Sequence, residues 1–115
     1  MHEITGDRYR VTYNPQTATL TCTGILRLRD VQAYGSLNTL FDRAVAAEHE
    51  VVTLDVRELD FLNSSGINVL FQFVIKLRDR AVSQLVVRGT SRAFWQTRTL
   101  RNMRRLMPGL QLDLE

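Results

Sequence analysis

The sequence has very few of the residues that stabilise small secreted or metal-bound proteins. Cys22 is its single cysteine, which excludes an intramolecular disulfide and a zinc site built on four cysteines. A reducing compartment suits such a chain, so we expect a cytoplasmic protein. The two prolines, Pro15 and Pro108, lie towards the two ends, and no Pro-, Gly- or Ser-rich linker divides the chain.

Long apolar runs are also missing. The longest, residues 69–75, is interrupted by Gln72 and is far shorter than the ~20 residues that cross a bilayer. The N-terminal residues mix charges of both signs, unlike a secretory signal, and we expect no membrane association. With 115 residues, 44% of them hydrophobic and 23% charged, the chain has the composition of one globular domain spanning residues 1–115.

Lysine is nearly absent, since Lys76 is the only one and every other basic side chain is an arginine. The net charge of +3 is too small to indicate nucleic-acid binding, and we predict none. Four arginines cluster near the C-terminal end: Arg98, Arg101, Arg104 and Arg105. We interpret them as a solvated helix face, with binding of acidic protein, phosphate or nucleic acid as the alternative.

Catalytic and metal-binding patterns are not found. The two histidines, His2 and His49, have no metal-ligand spacing, and the adjacent Ser64 and Ser65 do not lie in a Gly-x-Ser-x-Gly turn. No triad can be assembled from these residues. The sequence therefore predicts a protein that is not an enzyme and that needs no metal or other cofactor.

The apolar pattern of the first half predicts two strands, a helix and a buried strand. Alternation over residues 8–13 and 19–23, around a turn at 14–16, indicates an antiparallel hairpin. A helix is expected from an N-cap at Asp30, with an apolar face running from Val31 to Val45. Residues 50–56 form an almost unbroken β-favouring run, typical of a central strand.

The second half continues this alternation of strands and helices. A loop over 57–63 is expected to lead into a second helix, and a strand is expected at 85–87. We expect a third helix to open at Ser91, with Phe94 and Trp95 as core anchors. The remaining elements are a short helical turn and an edge strand, at residues 102–107 and 110–114. The fold class is therefore α/β, a sandwich of three to four helices on a mixed sheet with an N-terminal antiparallel hairpin.

One motif lies where the central strand passes into the second helix. The chain reads Asp55-Val56, then Phe61-Leu62-Asn63-Ser64-Ser65-Gly66-Ile67-Asn68. This resembles the STAS domain family of anti-sigma factor antagonists. The family's pattern is a strand ending in Asp-Leu, an aromatic and an aliphatic residue, then Asp-Ser-Ser-Gly-Leu-Gly and an apolar helix. The order of elements is also similar, so the resemblance covers most of the chain and implies a STAS-like fold.

The resemblance implies a non-catalytic module of bacterial partner switching. Its phosphorylation site would be Ser64, with Ser65 as the second choice. The implied partners are an anti-sigma factor that is also a serine kinase of the histidine-kinase-like ATPase type, and a PP2C-type phosphatase. The residues themselves favour Ser64 too, because a helix N-terminus tolerates an anion. Alternatively, either serine is only an N-cap worth ~1 kcal/mol, and the protein is a non-phosphorylated scaffold or interaction subunit of a larger signalling complex.

The expected partner-binding surface comprises the motif and an apolar stripe on the second helix: Asn63, Ser64, Ser65, Gly66, Asn68, Val69 and Phe73. Gly66 would let a partner approach closely. The stripe either docks a partner or is buried under a neighbouring helix.

The chain departs from the family pattern at three places. Asn63 replaces an aspartate, Asn68 replaces a glycine, and an acidic segment after the second strand is replaced by the basic stretch 24–29. The last change predicts a partner of different charge.

Overall fold

The computed structural model describes residues 2–115, which form six strands and three helices. The strands are β1 (His2–Gly6), β2 (Tyr9–Asn14), β3 (Thr19–Leu26), β4 (Val51–Leu62), β5 (Gln84–Gly89) and β6 (Gln111–Leu114). The helices are α1 (Val31–Ala46), α2 (Ser64–Arg80) and α3 (Gln96–Leu106).

The strands form one mixed sheet in the order β1-β2-β3-β4-β5-β6. The first three pair antiparallel, and β3 to β6 pair parallel. The predicted α/β fold with an N-terminal hairpin is thereby confirmed. The sequence did not predict β1, because Ile4 is the only large apolar side chain among its five residues.

The prediction of a loop over 57–63 was wrong, because β4 continues to Leu62. It does so through two irregularities in its pairing with β3. Thr21 and Thr23 face Asp55 and Glu58, and Gly24 and Ile25 face Leu59 and Phe61. An extra β4 residue at each place shifts the alternation of its side chains, so Leu59 and Leu62 still enter the core.

The three helices are expected on one face of the sheet, since successive right-handed crossovers advance across it in one direction. In agreement, α1 packs against α2 and α2 against α3. Phe41 of α1 and Phe73 of α2 meet edge to face, with ring centroids 5.0 Å apart. Val69 and Phe73 are both buried, so placing them on an exposed docking stripe was wrong. The alternative of burial under the neighbouring helix holds.

Polar side chains alternate with the buried residues of the sheet. Asp55 of β4 lies across from Arg88 of β5, and its Oδ2 accepts a 2.8 Å hydrogen bond from Nη2 of Arg57. Burial raises the pKa of the Asp55 carboxyl, but the hydrogen bonds from Arg57 and the charges of both arginines outweigh it, so the pKa is lowered overall. The Asp55 carboxylate therefore remains charged at neutral pH.

Two expectations about the last helix were wrong. α3 begins at Gln96 rather than Ser91, and residues 102–107 belong mainly to α3 instead of forming a separate turn. Phe94 lies in the turn before α3 and is 101% exposed, so it is no core anchor, whereas Trp95 packs partly buried against the core. Of the part of the chain that the structure describes, no helix has the length and hydrophobicity needed to cross a membrane.

Candidate functional site

Asn63 ties the start of α2 to the loop between β3 and α1. Its Oδ1 accepts hydrogen bonds from the backbone N–H of Gly66 at 3.0 Å and of Leu28 at 3.3 Å. Its Nδ2 donates to the carbonyl of Leu28 at 3.0 Å. The N-cap of α2 is therefore Asn63, and the alternative that a serine caps this helix was wrong.

Ser64 and Ser65 are the first two residues of α2, and both are exposed. The first N–H groups of a helix have no carbonyl partner inside it, and Asn63 covers only that of Gly66. The first turn of α2 contains no acidic residue, so no side chain of that turn offsets the positive end of the helix dipole. Either hydroxyl is accessible to an enzyme, and the position favours an added negative charge.

Gly66 has a different role from the one its sequence position predicts. It is buried, and a Cβ added there would lie 2.3 Å from Cδ1 of Leu62 and 3.1 Å from Cδ2 of Leu26. The missing side chain therefore lets α2 pack closely onto β3 and β4 and leaves no room for a partner's backbone. The expectation that Gly66 contacts a partner was wrong, as it was for Val69 and Phe73.

Exposed charged and apolar side chains lie near the start of α2. The guanidinium of Arg27 lies 4.9 Å from the ring centroid of Phe61, which is 39% exposed and precedes Asn63 by two residues. A shallow cavity of about 240 Å³ is lined by Leu28, Arg29, Asp30, Val31, Tyr34 and Ser65. Asn68 is exposed and donates a hydrogen bond to the Tyr34 hydroxyl. We call Ser64, Ser65, Arg27, Arg29, Phe61 and Val31 the serine surface.

The serine surface differs from the predicted partner-binding set in two ways. It retains the two serines, has Asn63 and Asn68 at its border, and omits the buried Gly66, Val69 and Phe73. It adds Arg27, Arg29, Phe61 and Val31, and of these the sequence motif connected only Phe61 with Ser64. The basic stretch 24–29 was the available signal, because the parallel pairing of β3 and β4 places Ile25 beside Phe61.

The two histidines and the cysteine, which also carry reactive groups, are not among the residues of the serine surface. His49 Nε2 is 2.6 Å from the Tyr13 hydroxyl, and His2 Nδ1 is 2.9 Å from Nη1 of Arg43. Burial, with a smaller effect of Asp55, raises the pKa of the Cys22 thiol to about 12. Within residues 2–115 no group of three or more His, Cys, Asp or Glu side chains could hold a metal ion.

A mixed sheet crossed by helices, with serines opening the helix after its central strand, is the architecture of a STAS domain. The STAS domain model matches residues 15–108, and the chain belongs to this family. The recognition made from the motif is confirmed. No curated protein matches the chain in sequence.

Three solved structures of Pseudomonas aeruginosa proteins share the fold. A chain in the complex of diguanylate cyclase SiaD with its activator SiaC has 14% identity and a TM-score of 0.75, with 100% of both chains covered. Apo-SiaC has 14% identity and a TM-score of 0.73, covering 100% of this chain and 99% of SiaC. A further SiaC structure has 15% identity and a TM-score of 0.69, with 100% and 98% covered.

Proposed function

We propose that this chain is a non-catalytic signalling module that binds a protein partner through the serine surface, and that phosphorylation of Ser64 switches this binding. The observation that carries the proposal is the exposure of Ser64 as the first residue of α2. A kinase can reach this hydroxyl without unfolding the domain. Family membership supports a regulatory role, and the similar SiaC activates a cyclase in a complex.

The switch acts through surface charge. A phosphate adds about −1.5 to −2 charges beside Arg27 and Arg29, at a helix N-terminus that stabilises an anion. The fold is retained, and the phosphate offsets the positive charge of Arg27 and Arg29. A partner that covers the unmodified serines would then have to bury a dianion, which costs several kcal/mol without a matching cation.

The partner classes in this proposal come from the family resemblance. They are a serine kinase of the histidine-kinase-like ATPase type, acting as anti-sigma factor, and a PP2C-type phosphatase that resets the switch. The control of transcription and the cytoplasmic location belong to the same proposal. The basic stretch 24–29 favours a second candidate, a partner enzyme that the module activates, as SiaC activates the diguanylate cyclase SiaD.

Phosphosite mapping tests the modification directly. The wild type, Ser64→Ala and Ser65→Ala are produced in the native host, and each is examined by intact mass and peptide mapping. We expect a phosphate on the wild type and on Ser65→Ala, and none on Ser64→Ala. If Ser64→Ala is modified as fully as the wild type, the assignment to Ser64 fails.

Partner recovery separates a switch from a scaffold. The wild type, Ser64→Asp and its uncharged match Ser64→Asn are used as baits in the same extract. We expect one partner to be recovered with the wild type and Ser64→Asn, and to be lost selectively with Ser64→Asp. Equal recovery by all three baits would favour the scaffold and contradict the switch.

A further inference from the structure

The basic residues of the chain are unevenly distributed. Residues 80–112 contain seven arginines and no acidic residue, so all twelve acidic residues lie outside this stretch. Some of these arginines are neutralised by the fold, since Arg80 pairs with Glu48 at 3.4 Å and Arg88 lies across from Asp55. The charge that remains is concentrated on α3 and on the turn before it.

The solvent-facing side of α3 is an unpaired row of arginines. The helix buries Gln96, Thr99, Leu100 and Met103 and exposes its four arginines, Arg98, Arg101, Arg104 and Arg105. Among residues 2–115 none of these four forms an ion pair. Arg98, Arg101 and Arg105 share one face over about 10 Å of helix axis. Such a row fits a partner with carboxylates.

The turn before α3 exposes Phe94, and hydrogen bonds of the residues next to Phe94 fix the turn in place. Gln96 is buried, and its Nε2 donates to the carbonyls of Val56 at 2.7 Å and Leu59 at 3.0 Å. Its Oε1 accepts from the backbone N–H of Thr90 at 2.8 Å. Trp95 Nε1 also donates to the carbonyl of Leu59 at 3.0 Å. Gln96 therefore joins the two ends of the turn and, with Trp95, fixes the turn to β4, while Phe94 is fully exposed.

We propose that Phe94 and the arginine row of α3 form a second docking surface, which binds an acidic segment of a partner protein. Phe94 would enter an apolar contact on that segment, and the arginines would pair with its carboxylates. Aromatic residues and arginines are the side chains that most often dominate protein interfaces. This surface shares no residue with the serine surface, so it does not depend on phosphorylation of Ser64.

A neighbouring cavity favours protein over nucleic acid as the partner. The cavity, of about 270 Å³, is lined by Arg57, Glu58, Asp60, Thr90, Arg92, Ala93 and Phe94. Glu58 and Asp60 line this cavity together with Phe94, and their negative charges disfavour a phosphate backbone there. A peptide that carries both charge types, or an apolar group next to its acids, meets no such repulsion.

The test is selection from a displayed library of random peptides on the full-length protein. We expect enriched sequences to combine acidic and apolar residues, with an affinity that falls as salt rises. Phe94→Ala should weaken an enriched peptide about tenfold or more. The double variant Arg98→Glu/Arg101→Glu should weaken it at least as much. The controls Val82→Ala and Arg8→Glu remove an apolar group or reverse a charge elsewhere on the exposed surface and should bind normally.

Three results would overturn the proposal. The first is selection without enrichment of acidic sequences, and the second is equal binding of the enriched peptides to all variants. The third is duplex DNA binding more tightly than the peptides and independently of Phe94, which would assign the arginine row to nucleic acid. Circular dichroism of each variant confirms that the fold is retained, and all five substituted positions are exposed.

Discussion

At the scale of single residues, the hydrogen bonds of Asn63 show what an asparagine provides where the family pattern has an aspartate. Its amide accepts from two N–H groups and donates to the carbonyl of Leu28. A carboxylate can accept both hydrogen bonds, but it has no proton to donate to that carbonyl. The asparagine therefore joins α2 to the β3–α1 loop in a way that aspartate cannot.

We predict that Asn63→Ala lowers the free energy of unfolding by about 2–4 kcal/mol, since it removes an N-cap and both hydrogen bonds to Leu28. Asn63→Asp should recover only part of this loss, because the Leu28 carbonyl stays without its donor. Urea denaturation measures both changes.

Asn14 provides the matched control. Its Oδ1 only accepts, from the backbone N–H of Gln16 at 3.0 Å, so Asn14→Asp should leave stability nearly unchanged. If Asn63→Asp were as stable as the wild type, the bond to the Leu28 carbonyl would contribute nothing.

The sequence predicts that a polar residue near position 63 caps a helix, but it does not predict which backbone groups the Asn63 side chain binds. A polar residue before an apolar helical pattern indicates a cap, and α2 begins within one residue of its predicted start. The peptide of Leu28 comes from a different loop, 35 residues away. Local sequence spacing contains no information about such a contact, because only the tertiary fold brings the two segments together.

At the scale of elements, the first turn of α2 contains no acidic side chain that could interact with the helix dipole. We predict that Ser64→Asp raises the free energy of unfolding by about 0.3–1 kcal/mol, because a carboxylate in the first turn interacts favourably with the helix dipole. Ser64→Asn has a similar shape without the charge and should give no such gain.

Thermal denaturation at low and high salt checks this prediction, since screening should remove most of the difference between the two variants. A loss of stability in Ser64→Asp would contradict it. Such a loss would also mean that a charge at Ser64 acts by disrupting α2 rather than by changing the serine surface.

The sequence predicted the type and order of most elements but misassigned one helix face and the extent of one strand. The stripe of Val69 and Phe73 is apolar whether it faces α1 or a partner protein, so periodicity alone cannot tell the two apart. The extent of β4 was hidden for another reason. Its extra residues break the two-residue alternation by which strands are recognised, and Leu59 and Leu62 therefore resembled loop residues.

At the scale of the whole molecule, Cys22 reports on the integrity of the core. Its side chain is buried in β3, and the raised pKa of about 12 keeps the thiol protonated at neutral pH. The thiolate is the reactive form, so the native protein should resist iodoacetamide and react only after unfolding.

We predict that the labelling rate of Cys22 rises with urea along the same slope as global unfolding, because β3 lies in the middle of the sheet. Mass spectrometry after timed alkylation measures this rate, and circular dichroism supplies the global curve. Fully denatured protein is the control for complete labelling. Rapid modification in the absence of urea would show that β3 opens locally.

The spatial order of the strands equals their order along the chain, and this has a consequence for biosynthesis. As the polypeptide leaves the ribosome, each new strand can add to the free edge formed by the strand before it. No strand has to wait for a later one, and none has to be inserted between two that are already paired. Folding can therefore proceed vectorially from the hairpin onwards.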